Sequence, residues 1–550
     1  MMPKSFHVLF CSLLLISVAD GRAAAIAPTR NPGLRHYYDV AKPERPQTLR
    51  VDVCVYGGTP GGVGAAVQAR RMGKTSVLAV FRRHVGGMTS AGLTAVDLGR
   101  KESIGGMAAE FLDRMGKWSG FRAADAEKTF RAMLDEAGVP VWFERRLDRV
   151  EKQGNRITAL VFENGDRIEA GMFVDATYEG DLLARAGVSY HVGREDNSVY
   201  GEEYNGYFIA DKHQFRFPVD PYLIPGDAKS GLLSGISAEP PRPRGSGDKW
   251  VQAYNFRMWL TTAAEGRAFP KPAGYNRDDY ALLLRYITSA PEGFVWDWTY
   301  RHGPIKLNIG DCNNAGPVST DLIGGSHEWP EADYETRERI FQAHVTYQQG
   351  MMWFLAHDPA VPEKLRAHVN TFGLPRDQFE ETGGWPHELY VREARRMISD
   401  YVMTEHDCLG KRVPHDSVGL ASYTMDSHHT SRVVVDGVVK AEGNVEQRTP
   451  QPYPVSYRAI VPRERECANL LVPVALSASH IAFGSIRMEP VFMLLGQSAA
   501  TAAALALEAK TPVQTIDYVA LRARLLKDKQ RLEWSPPAGP KPVSNAAPAR

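Results

Sequence analysis

Residues 51–56 (VDVCVY) alternate between apolar and polar with the two-residue period of a β-strand. Residues 62–73 then carry small side chains at helical spacing, and Thr75–Phe81 (TSVLAVF) is a second apolar run of strand length. Strand, glycine-rich turn, helix and strand predict a βαβ unit. From Val139 onward three more strand-like runs follow, VPVWF, ITALVFE and GMFVDA, with a hairpin-turn signal, ENGDR, at 163–167. Between about 190 and 455 the pattern breaks up. Trp, Tyr, Pro, Asn and His are frequent, and the punctuation is irregular, which predicts a large, loop-rich second region. Leu470–Val474 (LLVPV) reads as a strand, and Val491–Glu508 as an alanine-rich helix preceded by Glu489-Pro490. The final Pro/Ala-rich stretch has no core pattern and predicts disorder. No internal repeat is visible.

Composition narrows the classes. The 550 residues are 43% hydrophobic and 23% charged, an ordinary globular balance with ample material for buried cores. A formal net charge of +1, with no basic tract interleaved with aromatics, argues against a nucleic-acid partner. The start reads as an export signal: Lys4, an apolar stretch Val8–Ala19 too short to span a bilayer, then Ala23-Ala24-Ala25 as a small-residue cleavage site. A periplasmic or secreted protein with no transmembrane anchor after cleavage is expected. Cysteines stand at 11, 54, 312, 408 and 467, without C-x-x-C or cluster spacing. Cys54 fits a buried thiol; a disulfide among Cys312, Cys408 and Cys467 is compatible with an oxidising compartment.

The run YGGTPGGVGAAVQARRMG (Tyr56–Gly73) is a degenerate dinucleotide fingerprint. Gly57 is placed for the tight turn and Gly62 for close helix–strand packing; Thr59 stands where the middle glycine belongs. Gly58, Pro60 and Gly61 keep the loop bare, and Pro60 suits the first helical turn. A plain βαβ crossover fits the run as well. Three later segments add weight. HVGGMTSAGL (84–93) supplies bare backbone after the second strand. VDATYEGDLLARAGV (174–188) places a strand end before a helix. SIRMEPVFMLLGQSAATAAALALE (485–508) is another turn into a small-residue helix.

With these segments the chain resembles the FAD-dependent oxidoreductase family that begins GGTPxG…GGM and ends R-x-EP…G…AA. Bacterial members of that family often carry export signals, and some are labelled xanthan lyase. The resemblance runs from about Val51 to Glu508. It also includes YGEEYNG (200–206), QAYNFRM (252–258), DCNNAGPVSTDLIG (311–324), GGWPHELYVREARRM (383–397), MDSHH (425–429) and IRMEP (486–490). It implies an α/β fold: a glutathione-reductase-like, two-part FAD-binding Rossmann domain interrupted by a large α+β substrate region. The implied division is signal peptide 1–25, leader 26–50, FAD domain 51–190 and 461–510, substrate or cap region 191–460, C-terminal helix 511–534 and disordered tail 535–550. The resemblance further implies that Gly57, Gly58, Thr59, Pro60, Gly61 and Gly62 hold pyrophosphate. Gly86, Gly87, Met88 and Thr89 would lie beside the flavin, Asp175 near the ribityl or phosphate end, and Arg487 and Glu489 at the flavin edge. One departure stands out. Relatives usually end the second strand with a glutamate that binds adenosine ribose; here Phe81, Arg82 and Arg83 stand there.

A flavin dehydrogenase needs a held hydride donor and often a base. Arg392 and Arg396, four apart in YVREARRM, are expected on one helix face as a clamp for carboxylate or sugar oxygens, or else as a structural salt-bridge network with Glu388, Glu393 and Asp400. His428, on one side of an extended segment with Asp426, is a candidate base, and His480 is a second. Trp385, Tyr390 and Tyr423 are candidate sugar-stacking rings or core. No metal ligand set is expected. The sequence reading is an exported dehydrogenase of a small polar substrate, a carbohydrate or derivative. It would pass electrons to oxygen, a quinone or a carrier protein. Two other readings are a polysaccharide lyase and a nucleotide-binding protein without redox turnover.

Overall fold

A computed structural model describes residues 33–37, 42–294, 296 and 307–536. The expected signal peptide, part of the leader (26–32 and 38–41) and nearly all of the tail lie outside them. β1 (Thr48–Tyr56), α1 (Pro60–Arg71) and β2 (Ser76–Ala79) form the βαβ unit. α1 starts where the chemistry favours it. Thr59 is the N-cap, its hydroxyl accepting the Gly62 N–H at 3.2 Å, Pro60 fills the first turn, and Arg70 and Arg71 sit at the negative C-terminal end.

β3 (Val141–Trp142), β4 (Leu147–Gln153), β5 (Arg156–Phe162) and β6 (Arg167–Asp175) complete most of one sheet. Its order is β3-β2-β1-β6-β5-β4, parallel from β3 to β6 and antiparallel from β6 to β4. β5 pairs only with the first half of β6; Leu470–Leu471 pairs in parallel with the second half, at Phe173 and Val174. A strand from the end of the chain thus closes a sheet begun at its start.

The helix Glu489–Ala509 is long and apolar enough to cross a membrane, but 89% of its apolar window is buried. It is a core helix packed against α1. The two approach backbone to backbone. A Cβ on Gly496 would lie 2.0 Å from the Gly61 carbonyl oxygen, and one on Gly64 2.7 Å from that of Met493.

The middle region is loop-rich, with short two- and three-stranded sheets around a 24-residue helix, Tyr334–His357, that is buried on most of its surface. Several element boundaries differ from the sequence pattern. β4 was not legible, because it is an edge strand with mostly exposed side chains. The strand predicted at 470–474 stops at Leu471, ahead of Pro473. The helix expected over 511–534 is Tyr518–Lys527, preceded by a short turn. Cys54, Cys312, Cys408 and Cys467 are all buried, and no disulfide joins the described residues.

Candidate active site

The loop after β1 brings three backbones together. Gly57 has φ +116°, and a Cβ there would lie 2.5 Å from the Ala176 carbonyl; a Cβ on Gly62 would lie 1.9 Å from the Gly57 oxygen. Only glycine fits at either place. Thr59 needs no such freedom. Its φ is −69°, and its hydroxyl donates to the Ala176 carbonyl at 2.8 Å, tying the loop to the end of β6. This explains why the middle glycine of the fingerprint is dispensable here. The first turn of α1 leaves the Gly61 N–H without an intrahelical partner, at the positive end of the helix.

A cavity opens beside this loop. Gly57, Gly58 and Thr59 line it together with Val80 and Phe81 at the end of β2, Gly87, Tyr178, Glu179 and Glu388. Bare amides and a helix N-terminus on one wall suit an anionic phosphate. Behind Tyr178 of its wall, three distant segments meet at one carboxylate. Glu489 accepts from Tyr178 Oη at 2.8 Å, from Thr89 Oγ1 at 3.1 Å and from the Thr89 N–H at 3.3 Å. Burial pushes its carboxyl up to about 8. Tyr178 Oη also accepts the Met88 N–H at 2.9 Å, and Gly86 N–H donates to Gly58 O at 2.7 Å. Glu489 therefore organises the turn at Gly87–Ser90 against the Glu489–Ala509 helix.

Asp175 acts differently from the sequence expectation. It is fully buried and accepts from Thr177 N–H, Thr177 Oγ1 and the Leu183 N–H. Burial raises its carboxyl to about 6. It shapes the 175–183 loop from beneath and is not on the cavity wall.

The arginine clamp is corrected. Residues 387–394 are irregular and Arg395–Met397 is a strand paired with Tyr190–Val192, so Arg392 and Arg396 share no helix face. Consecutive glycines at 383–384 and Pro386 break the helix, and the pairing strand holds the rest extended. The two side chains go to different places. Arg396 is enclosed by Glu195 (2.7 Å), Glu393 and the carbonyls of Gly193 and Ala478. His480 belongs to that same buried network: Nδ1 meets Glu393 at 2.7 Å and Nε2 meets Ser427 Oγ at 3.0 Å. Both its nitrogens are engaged and it is 2% exposed, which makes it a support for the fold at this place.

Arg392 joins a second cluster with Arg487, Arg257, Tyr390, Asp321, Asp426 and His428. The Tyr390 ring lies under the guanidiniums of Arg392, Arg487 and Arg257, at 4.6, 5.9 and 6.0 Å. Arg487 donates to Tyr390 Oη at 3.0 Å and to Asp426 at 2.8 Å. Arg392 pairs with Asp321 at 3.2 Å and donates to Asn255 and the Ala253 carbonyl. The Nε atoms of both Arg392 and Arg487 are buried without a hydrogen-bond partner. His428 Nδ1 lies 2.8 Å from Asp321, and Nε2 lies 3.6 Å from Asp426. Burial alone would raise the Asp321 carboxyl, but Arg392 and His428 outweigh it and hold it below its ordinary value. An ionised Asp321 accepts, so neutral His428 carries its proton on Nδ1 and leaves Nε2 as a base. Asp97 faces the same cluster through Tyr423, and burial raises its carboxyl.

The cavity and this cluster are joined through short links: Glu388 lines the cavity and Tyr390 sits in the cluster, while Glu489 holds the turn and Arg487 reaches the cluster. Sequence reasoning missed Asp321 and Arg257 as site residues, although both stand inside quoted motifs. Elsewhere, His84, Glu381 and His387 each place a potential ligand atom within 4.8 Å of the others. The two imidazoles are stacked 3.7 Å apart, which keeps one ion out of both ring planes.

The glycine loop, capped helix and parallel sheet define a Rossmann-type nucleotide-cofactor protein. The family model for FAD dependent oxidoreductases matches residues 52–525, and the chain belongs to that family. Its cofactor is FAD. The cavity fits that group by its crowded glycine loop, its helix N-terminus and the unpartnered buried Nε2 of His36 on its wall. No curated protein matches the chain. Among solved structures it is similar to Thermovibrio ammonificans THI4 (24% identity, 26% of this chain, 64% of that one, TM-score 0.22). A flavin monooxygenase mutant from Stenotrophomonas maltophilia shares 20% identity over 23% of this chain and 38% of that one, TM-score 0.18. L-proline dehydrogenase from P. horikoshii shares 20% over 29% and 27%, TM-score 0.18. The chain spans less than two thirds of each of these proteins.

Proposed function

We propose that the protein is an exported dehydrogenase of a small polar substrate, a carbohydrate or its derivative. The observation that supports it is the pair of buried, unpartnered guanidinium N–H groups on Arg392 and Arg487, next to the Asp321–His428 pair. A buried donor without an acceptor costs about 1–3 kcal/mol, and a substrate oxygen would satisfy it. FAD, when bound between the glycine loop and the Gly87–Ser90 turn, supplies a two-electron acceptor for a substrate hydride. The rest is done by the chain's own groups. Arg392 and Arg487 hold substrate oxygens against the Tyr390 ring. Asp321 keeps the His428 proton on Nδ1, so that Nε2 takes the proton of a substrate hydroxyl. Asp321 also stabilises the imidazolium that results. Export rests on the N-terminal pattern, and the final electron acceptor is oxygen, a quinone or a carrier protein.

The test is a visible spectrum of the purified protein, followed by anaerobic addition of sugars and of hydroxy acids. Bound flavin that bleaches with one class identifies the substrate chemistry. A folded protein without flavin that takes up no added FAD overturns the reading. So does substrate bleaching that Arg392→Ala and His428→Ala both leave unchanged.

A further inference from the structure

Phe81 occupies the position where the ribose-binding acid is expected, and the leader packs onto it. Leu34 O accepts from Gln342 at 2.7 Å, and Glu338 accepts the N–H groups of His36 and Tyr37 at 2.8 and 2.6 Å. Gln342 and Glu338 both belong to the buried Tyr334–His357 helix, and Arg146 lies 4.1 Å over the Tyr37 ring. The His36 imidazole is thereby clamped. Its centroid is 4.8 Å from those of Phe81 and Trp329, and it is 5% exposed. It forms part of the cavity wall that Gly57, Gly58 and Thr59 complete.

The hydrogen bonding fixes its tautomer. Arg82 Nη1 lies 2.9 Å from His36 Nδ1. A guanidinium only donates, so Nδ1 accepts and the ring proton sits on Nε2. Burial first, and then Arg82, lower the imidazole's affinity for a second proton, consistent with a neutral ring. Nε2 is buried and, among the described residues, has no hydrogen-bond partner. The cavity wall beside the glycine loop thus carries one unsatisfied N–H donor, brought there by a segment outside the Rossmann unit.

We propose that His36 of the leader is the polar contact for the ADP half of the cofactor, donating from Nε2 to an oxygen or ring nitrogen that Phe81 cannot reach. The contact has opposite polarity to a carboxylate: it donates a hydrogen bond to the ligand instead of accepting hydrogen bonds from hydroxyls. The inference rests on FAD binding as proposed above, and its test separates the two. Apo-protein is titrated calorimetrically with FAD, ADP, adenosine and riboflavin. His36→Phe keeps the ring and removes the donor. We expect FAD and ADP affinity to fall about three- to tenfold, as for one neutral hydrogen bond, with riboflavin unchanged. An equal loss for adenosine places the acceptor on the nucleoside; a loss for ADP alone places it on phosphate. Unchanged FAD and ADP affinity overturns the proposal, as does a parallel loss for riboflavin. If His36→Phe does not fold, nitrogen NMR of histidine-labelled wild-type protein decides. ADP should shift the His36 Nε2 signal and riboflavin should not; no ADP-induced shift overturns the inference. Wild-type protein that takes up no FAD instead overturns the function proposed above.

Discussion

Replacing Glu489 by Gln tests the junction on which the composite site depends. Glu489 is 4% exposed, and burial pushes its carboxyl from 4.5 to about 8. The unfolded chain releases this proton near its ordinary value and the folded protein keeps it. Between about pH 4.5 and 8 the folded state binds more protons, so this group's contribution to stability falls as pH rises. A shift of this size corresponds to about 3–5 kcal/mol lost across that window, at 1.36 kcal/mol per unit. Glutamine keeps the shape and an acceptor for Thr89 and Tyr178 and does not titrate. Apo wild type and Glu489→Gln should therefore have similar stabilities near pH 4.5, and the variant should gain steadily up to about pH 8. Urea unfolding midpoints at half-unit pH steps, with slopes checked for constancy, measure the difference. Taking the difference between the two proteins removes every other titrating group that is not coupled to this one. Parallel midpoint curves from pH 4.5 to 8 would show that the carboxyl is ionised in the fold, and would refute the reasoning.

Other outcomes follow from the same geometry. Asp321→Asn removes the group that sets the His428 tautomer; kcat for the substrate that bleaches the flavin should drop about 100-fold, and an unchanged pH–rate profile would contradict the assignment. Gly62→Ala puts a methyl 1.9 Å from the Gly57 oxygen; it should destabilise by about 1–3 kcal/mol and lower FAD retention on gel filtration. Asp181 accepts from Arg337 at 2.8 Å and Arg395 at 2.9 Å, all three buried. Asp181→Asn should cost about 3–5 kcal/mol, read by chemical denaturation, since it leaves buried cations uncompensated.

The βαβ unit was legible because period, glycine turn and small-residue helix all agree locally. The late strand that joins β6 was legible as a strand, but its place in the sheet only through the resemblance, since nothing in LLVPV says which strand it joins. Arg392 and Arg396 misled because an i, i+4 spacing carries information only on a helix, and tertiary pairing with Tyr190–Val192 overrode it. Phe81 looked like a defect in the fingerprint. The residues that surround it, His36 and Tyr334, lie 45 residues before and 253 after it, a distance at which no sequence period operates.

The closure of the sheet by Leu470–Leu471, and of the α1 glycine face by the Glu489–Ala509 helix, also constrains the order of events during synthesis. Until about residue 509 has emerged, half of β6 has an open edge and the bare face of α1 has nothing to cover it. Contacts of such sequence separation form slowly, and open edges recruit other strands. A chain interrupted anywhere in its middle region is therefore left with a nucleotide loop that lacks its far wall, and holding the nascent chain unfolded until the Glu489–Ala509 helix is complete is what favours a productive fold over aggregation.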